Sequence, residues 1–82
     1  MKNAIEILSV SGYEKTEHLK SNVKKALIEL GLDVSLKEVT AIEELMSSEI
    51  EAIPALRVNG EILFQRFVPS VEVLKSIFRS LK

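Results

Sequence analysis

The apolar pattern of this chain predicts an α/β domain of three layers in the order βαβαββα, and three observations carry that reading. Apolar residues switch between short strand-like runs and helical stripes with steps of three and four. Asn59-Gly60 separates two short apolar runs, which is the strongest short-range hairpin signal because both turn residues need positive φ. Three one-sided helices need both faces of a sheet to bury their stripes, giving a three-layer sandwich.

Each element follows in turn. Residues 4–10 are a nearly continuous apolar run, suited to a strand covered on both faces. Ser11-Gly12 break the run, and Ser11 with Glu14 has the spacing of a capping box. Across residues 13–30, Leu19, Val23, Ala26, Leu27 and Leu30 fall on one stripe. Glu14 and Glu17 sit near the positive start of this helix, and Lys24 and Lys25 lie nearer its end. Gly31 is placed to end it in the left-handed conformation. Residues 33–39 alternate apolar and polar, as a half-exposed strand does. Thr40 and Glu43 repeat the capping-box spacing before a short helix over 41–48, with Ile42, Leu45 and Met46 on one side and Ser47-Ser48 at its end. Pro54 has no N–H to give a ladder, so it opens a strand. Strands over 55–58 and 61–67 form the hairpin. Val68-Pro69-Ser70 then stops the chain and caps a last helix over 70–81, striped by Leu74, Ile77, Phe78 and Leu81. The first βαβ unit should be parallel with a right-handed crossover. No repeat or linker interrupts residues 1–82, which read as one domain.

Composition narrows the function classes. The 82 residues are 46% hydrophobic and 28% charged, the profile of a folded chain. The net charge of −1 offers no clustered basic field for nucleic acid. No apolar run approaches the roughly 20 residues that span a bilayer, so no membrane association is expected. The first residues lack the apolar segment of a signal peptide, and a secreted domain this small is usually stapled by disulfides. With no cysteine, none can form, and a cytoplasmic location is the expectation. Structural zinc through thiolates is excluded for the same reason, and the single His18 cannot replace four ligands. No cofactor is expected.

The chain resembles the thioredoxin-like fold, and within it the very small archaeal and bacterial thioredoxin-like or glutaredoxin-like redox proteins. The resemblance spans residues 4–81. It rests on Ile5-Glu6-Ile7-Leu8, Asn22-Val23-Lys24-Lys25-Ala26-Leu27, Leu30-Gly31-Leu32, Val39-Thr40, Ile53-Pro54-Ala55-Leu56, Val58-Asn59-Gly60 and Val68-Pro69-Ser70, in that order and spacing. It implies a mixed four-stranded sheet in the order 2-1-3-4. It also implies a Cys-X-X-Cys pair at the start of the first helix, and those two positions fall on Tyr13 and Thr16. The family tends to carry glycine near position 66, where this chain has Arg66. The peptide bond before Pro54 is expected to be cis, with the Ile53 backbone beside Tyr13 and free to pair with an extended substrate.

Dithiol exchange needs a thiolate at a helix N-terminus. A tyrosine phenol, with an ordinary pKa of about 10, and a threonine hydroxyl form no mixed disulfide, so thiol–disulfide oxidoreductase activity is expected to be absent. What remains is a groove of Tyr13, Ile53, Pro54 and Arg66. Tyr13 has two readings there: an aromatic anchor for a peptide, or a plug packed on Pro54. The amides after Ser11 and Gly12 could receive an anion, but helix capping accounts for them. His18, Lys24 and Lys25 read as solvated. Glu43 and Glu44 are adjacent on a helix and point apart, so they read as capping and solvation instead of a metal pair. Phe64, Phe67 and Phe78 read as core, with Phe67 and Val68 also placed to extend the groove rim.

Three functions compete. The first is a non-catalytic peptide- or protein-binding module using this groove. The second is an accessory of a thiol-redox system whose partner supplies the cysteine. The third is a structural homo-oligomer. An exposed apolar patch around Tyr13 and Phe67 separates the first from the third.

Overall fold

The computed structural model describes residues 3–81. Along the chain lie β1 (Asn3–Leu8), α1 (Glu14–Leu30), β2 (Val34–Val39), α2 (Ile42–Ser47), β3 (Ala55–Val58), β4 (Glu61–Gln65) and α3 (Val71–Phe78). The sheet has the order β2-β1-β3-β4. β1 pairs with β2 in parallel and with β3 antiparallel, and the hairpin adds β4. Both the element order and the strand order follow the expected α/β arrangement. No helix among the described residues is long and apolar enough to cross a membrane.

The period of two along β1 sorts its side chains between two unequal faces. Ile5 and Ile7 pack with Leu56 and Val58 of β3 against Leu19, Val23 and Ala26 of α1 and Leu74 and Phe78 of α3. All but Val58 are essentially inaccessible to solvent. Burying a side chain of this size stabilises by about 1.5–3 kcal/mol, so this face holds most of the core. The other face has a smaller cluster of Leu8, Val39 and Ala55, covered by Leu45 of α2 and by Ile50.

Beyond that cluster the second face turns polar, and an ion pair crosses the strands. Glu6 and Arg57 are register partners on β1 and β3, and the Arg57 Nε donates to Glu6 Oε1 at 2.7 Å. The hydrogen bond from Arg57 holds the Glu6 carboxyl below its ordinary pKa, against a smaller opposing effect of burial. The same bond raises the Arg57 pKa.

The helix and turn chemistry behaves locally as its residues dictate. Gly31 takes φ +65° and closes α1, with Leu32 N–H donating to Leu27 C=O at 3.2 Å. Asn59 and Gly60 both have positive φ. Asn59 also clips the hairpin tip to β1: its N–H donates to Ala4 C=O at 2.7 Å, and its Oδ1 accepts from Ala4 N–H at 2.8 Å. Ser70 caps α3, its Oγ accepting from Val73 N–H at 3.3 Å. Lys75 of α3 reaches Glu29 of α1 at 2.8 Å and joins the two helices that share the larger core face.

Several expectations are corrected. Neither capping box forms: Tyr13 and Ala41 are the N-cap residues of α1 and α2, and neither helix has a side-chain cap. Gly12 at φ +80° turns the chain after Ser11, so α1 starts at Glu14, too late for Ser11 to serve it. β1 ends at Leu8, not Val10: the ladder to β2 makes one more backbone bond, from Ser9 N–H to Val39 C=O, and the chain then turns toward α1. β4 ends at Gln65, not Phe67, because Arg66 takes φ +79°, which no strand accommodates. α3 ends at Phe78, and Ser80 Oγ then donates to Ile77 C=O. Phe78 is core and Phe64 packs against it, but Phe67 is exposed, its ring meeting Phe64 edge-on at 5.3 Å. The apolar stripe of α2 does not turn inward: Ile42 and Met46 are 67% and 79% exposed, and only Leu45 packs on the core.

The Glu6–Arg57 pair gives stability an acid-sensitive component. A depressed folded pKa contributes stability that is complete above the unfolded glutamate value of about 4.3 and is lost as pH falls through the lower folded value. Glu6→Gln should therefore lower stability by about 1 kcal/mol at pH 7, the scale of one charged hydrogen bond that is partly exposed. Urea unfolding of both chains between pH 7 and pH 3 should show that difference shrinking below pH 4.

Candidate functional site

Two connections leave the sheet at one end. The register Leu8↔Ala55 sets the C-terminal end of β1 beside the start of β3. The segment leading into α1 therefore leaves the sheet at the end where the Ile53-Pro54 turn enters it. The candidate residues are carried by these two connections and by the end of β4.

Ser9 and Thr16 form the buried part of the site. Both are almost inaccessible, at 1% and 3% exposure. The Thr16 Oγ1 donates to Ser9 Oγ in a short hydrogen bond across the start of α1. Ser9 N–H donates to Val39 C=O at 3.1 Å, which extends the β1–β2 ladder by one step. Thr16 N–H donates to Tyr13 C=O at 3.0 Å, so the first turn of α1 closes on Tyr13. No buried side-chain polar atom among the described residues lacks a partner. Ser9 escaped the sequence reading because a serine at the end of an apolar run carries no periodicity signal.

Tyr13 is half-buried at the N-cap of α1. The Ile53–Pro54 peptide bond is cis. Pro54 is buried, so it shapes the turn and offers a ligand no side-chain surface. Its carbonyl accepts from Arg66 N–H at 2.9 Å, which ties the turn to the end of β4. The Ile53 side chain is half-buried, and its own N–H and C=O make no hydrogen bond among the described residues.

Two clefts flank the turn. One, of about 310 Å³, is lined by Leu45, Met46, Ile50, Glu51, Ala52 and Ile53. The other, of about 220 Å³, is lined by Glu51, Ala52, Gln65 and Arg66. Glu51 and Ala52 line both clefts, and Gln65 holds them: its Oε1 accepts from Glu51 N–H at 2.5 Å and from Ala52 N–H at 3.2 Å. The structure thus brings Ile53, Pro54 and Arg66 together around residues 51–52, and Tyr13 lines neither cleft. Gln65 too was invisible in the sequence, since an amide ending a strand has many possible partners. His18, Glu43 and Glu44 are exposed. No group of three or more metal-ligating side chains occurs among the described residues.

A βαβαββα sandwich with sheet order 2-1-3-4 is the thioredoxin-like fold, and this chain carries it with no cysteine. The family model described as Thioredoxin domain matches residues 3–79, and the chain belongs to that family. It is similar to a thioredoxin of Methanothermobacter thermautotrophicus, with 28% identity over 67 residues, covering 82% of this chain and 87% of the relative. It is also similar to a thioredoxin of Methanocaldococcus jannaschii, with 33% identity over 70 residues, 85% of this chain and 80% of the relative. Among solved structures, thioredoxin-2 of the malaria parasite superposes with a TM-score of 0.73 at 13% identity, covering 95% of this chain and 82% of that one. Oxidised thioredoxin of Plasmodium falciparum gives 0.63 at 16% identity, with 95% and 79% covered. These two likenesses concern the fold. Thiol–disulfide exchange by these 82 residues lacks its nucleophile.

Arg66 supplies a test of the site's backbone. A non-glycine residue in the left-handed region costs about 1–2 kcal/mol, and glycine returns about 0.5–1 kcal/mol of that as unfolded-state entropy. Arg66→Gly should raise stability by about 0.5–1 kcal/mol, and the β-branched Arg66→Val should lower it by about 1 kcal/mol. Urea midpoints of the three chains check both signs.

Proposed function

We propose that this thioredoxin-domain chain is a non-catalytic binding module for an extended peptide or protein segment. The groove is the one between the start of α1 and the Ile53-Pro54 turn, with Tyr13, Ile53, Pro54 and Arg66 as its residues. The observation that carries the reading is the N–H and C=O of Ile53, just ahead of β3, which make no hydrogen bond among the described residues. A backbone donor and acceptor left open beside a sheet can receive one added strand, in which main-chain bonds give affinity and side-chain pockets give selectivity. The clefts on either side of residues 51–52 supply such pockets, one mostly apolar and one polar. Tyr13 adds an aromatic anchor. Pro54 and Arg66 hold the turn in place through the 2.9 Å bond between them. Because the chain brings no thiol, capture is non-covalent.

Selection from a display library of cysteine-free heptapeptides tests this. Enriched peptides should shift the backbone amide signals of Tyr13, Ile53 and Arg66 in ¹⁵N spectra, with interstrand proton contacts to Ile53. Tyr13→Ala should weaken them roughly tenfold or more. No enrichment, or binding unchanged by Tyr13→Ala and mapped elsewhere, would remove the reading. Enrichment that required a cysteine-bearing protein partner would instead favour an accessory role in a thiol-redox system.

A further inference from the structure

We infer that α2 and the cleft behind it extend the Ile53 site proposed above, on which this inference rests, into a docking surface for a partner segment that combines apolar anchors with lysine or arginine. Two independent features of residues 38–56 meet there. The first is apolar. α2 has three apolar residues among six, and none of its residues is buried. Ile42 and Met46 are one turn apart on the same stripe, and both are largely exposed. Met46 also lines the cleft of about 310 Å³ together with Leu45, Ile50 and Ile53. Single exposed apolar residues need no explanation, but a contiguous set around a cleft marks an interaction surface.

The second feature is charge. Residues 38–56 contain Glu38, Glu43, Glu44, Glu49 and Glu51 and no lysine or arginine, in a chain whose net charge is only −1. Glu43, Glu44, Glu49 and Glu51 are all exposed, and none takes part in an ion pair among the described residues. Lys37 and Arg57 bound this segment, Arg57 being paired with Glu6 and within electrostatic reach of Glu44, and Lys15, Lys20, Lys24 and Lys25 lie on α1. Glu51 lines the apolar cleft, and Glu43, Glu44 and Glu49 are exposed on the segment that forms it, an arrangement complementary to an apolar segment flanked by positive charge and unfavourable to acidic competitors. A second copy presenting this same face would oppose glutamate to glutamate, so a symmetric dimer through α2 is disfavoured. Met46 matches the adaptable apolar surface used where one cleft accepts several anchors.

The probes are two synthetic helical peptides of identical leucine positions, one with lysine and one with glutamate on the remaining face. The lysine peptide should bind and shift the amides of Ile42, Leu45, Met46 and Ile50, with affinity falling as salt rises past 0.1 M, where the Debye length is about 10 Å. The glutamate peptide should bind at least roughly tenfold more weakly. Met46→Ser, at a site too exposed to affect folding, should weaken the lysine peptide by about tenfold or more. Glu43→Lys with Glu49→Lys should do the same. The paired glutamate-to-lysine change should leave binding of an uncharged strand-forming peptide at Ile53 unaltered, since Glu43 and Glu49 line neither cleft, and this separates failure of the inference from failure of the Ile53 reading. Equal binding of both peptides, shifts confined to other surfaces, or concentration-dependent self-association through α2 would overturn the inference.

Discussion

The fold depends on β1 being hydrogen-bonded on both edges, with Ile5 and Ile7 buried on one face and Leu8 on the other. Its six residues supply the ladder for β2 on one side and β3 on the other, so neither the parallel crossover nor the hairpin has a place without it. Ile5 and Ile7 seat α1 and α3, and Leu8 seats the end covered by α2. Glu6 is the exception on this strand, and Arg57 directly opposite is what makes a charge at that position tolerable. The site inherits the same constraint, because its two connections both leave the sheet where β1 ends and β3 begins.

The unequal covering of the sheet explains where binding surface is left. α1 and α3 together seal one face, and their apolar stripes are almost fully used. α2 is six residues long and covers only Leu8, Val39 and Ala55. Its remaining apolar residues face outward and merge with the segment before Pro54. A short helix over half of a sheet face thus leaves both an apolar cleft and an open backbone turn at one end of the molecule.

Much of the fold is written in local patterns of the sequence. The α1 stripe from Leu19 to Leu27, the Asn59-Gly60 turn, the Gly31 terminus and the Ser70 cap each follow from one or two residues with a single physical reading. The strand order came from a resemblance, since pairing partners far apart in sequence leave no periodic trace. The failures have physical causes. Capping-box spacing at Ser11 and Thr40 competed with the turn geometry of Gly12 and with where α2 begins, and lost. The α2 stripe looked like core because periodicity records which side is apolar and not whether anything covers it. Of the site, the positions of Ile53, Pro54 and Arg66 were legible because a proline and a replaced glycine are local signals. Ser9 and Gln65 were not, because their roles exist only once Thr16 and residues 51–52 are brought to them.

The most direct test concerns the start of α1, where the family resemblance implies that Tyr13 and Thr16 stand at the two thiol positions. Tyr13 is half-buried at the N-cap and Thr16 is buried one turn later. The measurement is insulin reduction driven by dithiothreitol, comparing the natural chain with the Tyr13→Cys, Thr16→Cys double variant. The natural chain should not exceed a protein-free blank, and the double variant should. A double variant that folds, as judged by its unchanged amide spectrum away from α1, yet stays inert would contradict the assignment.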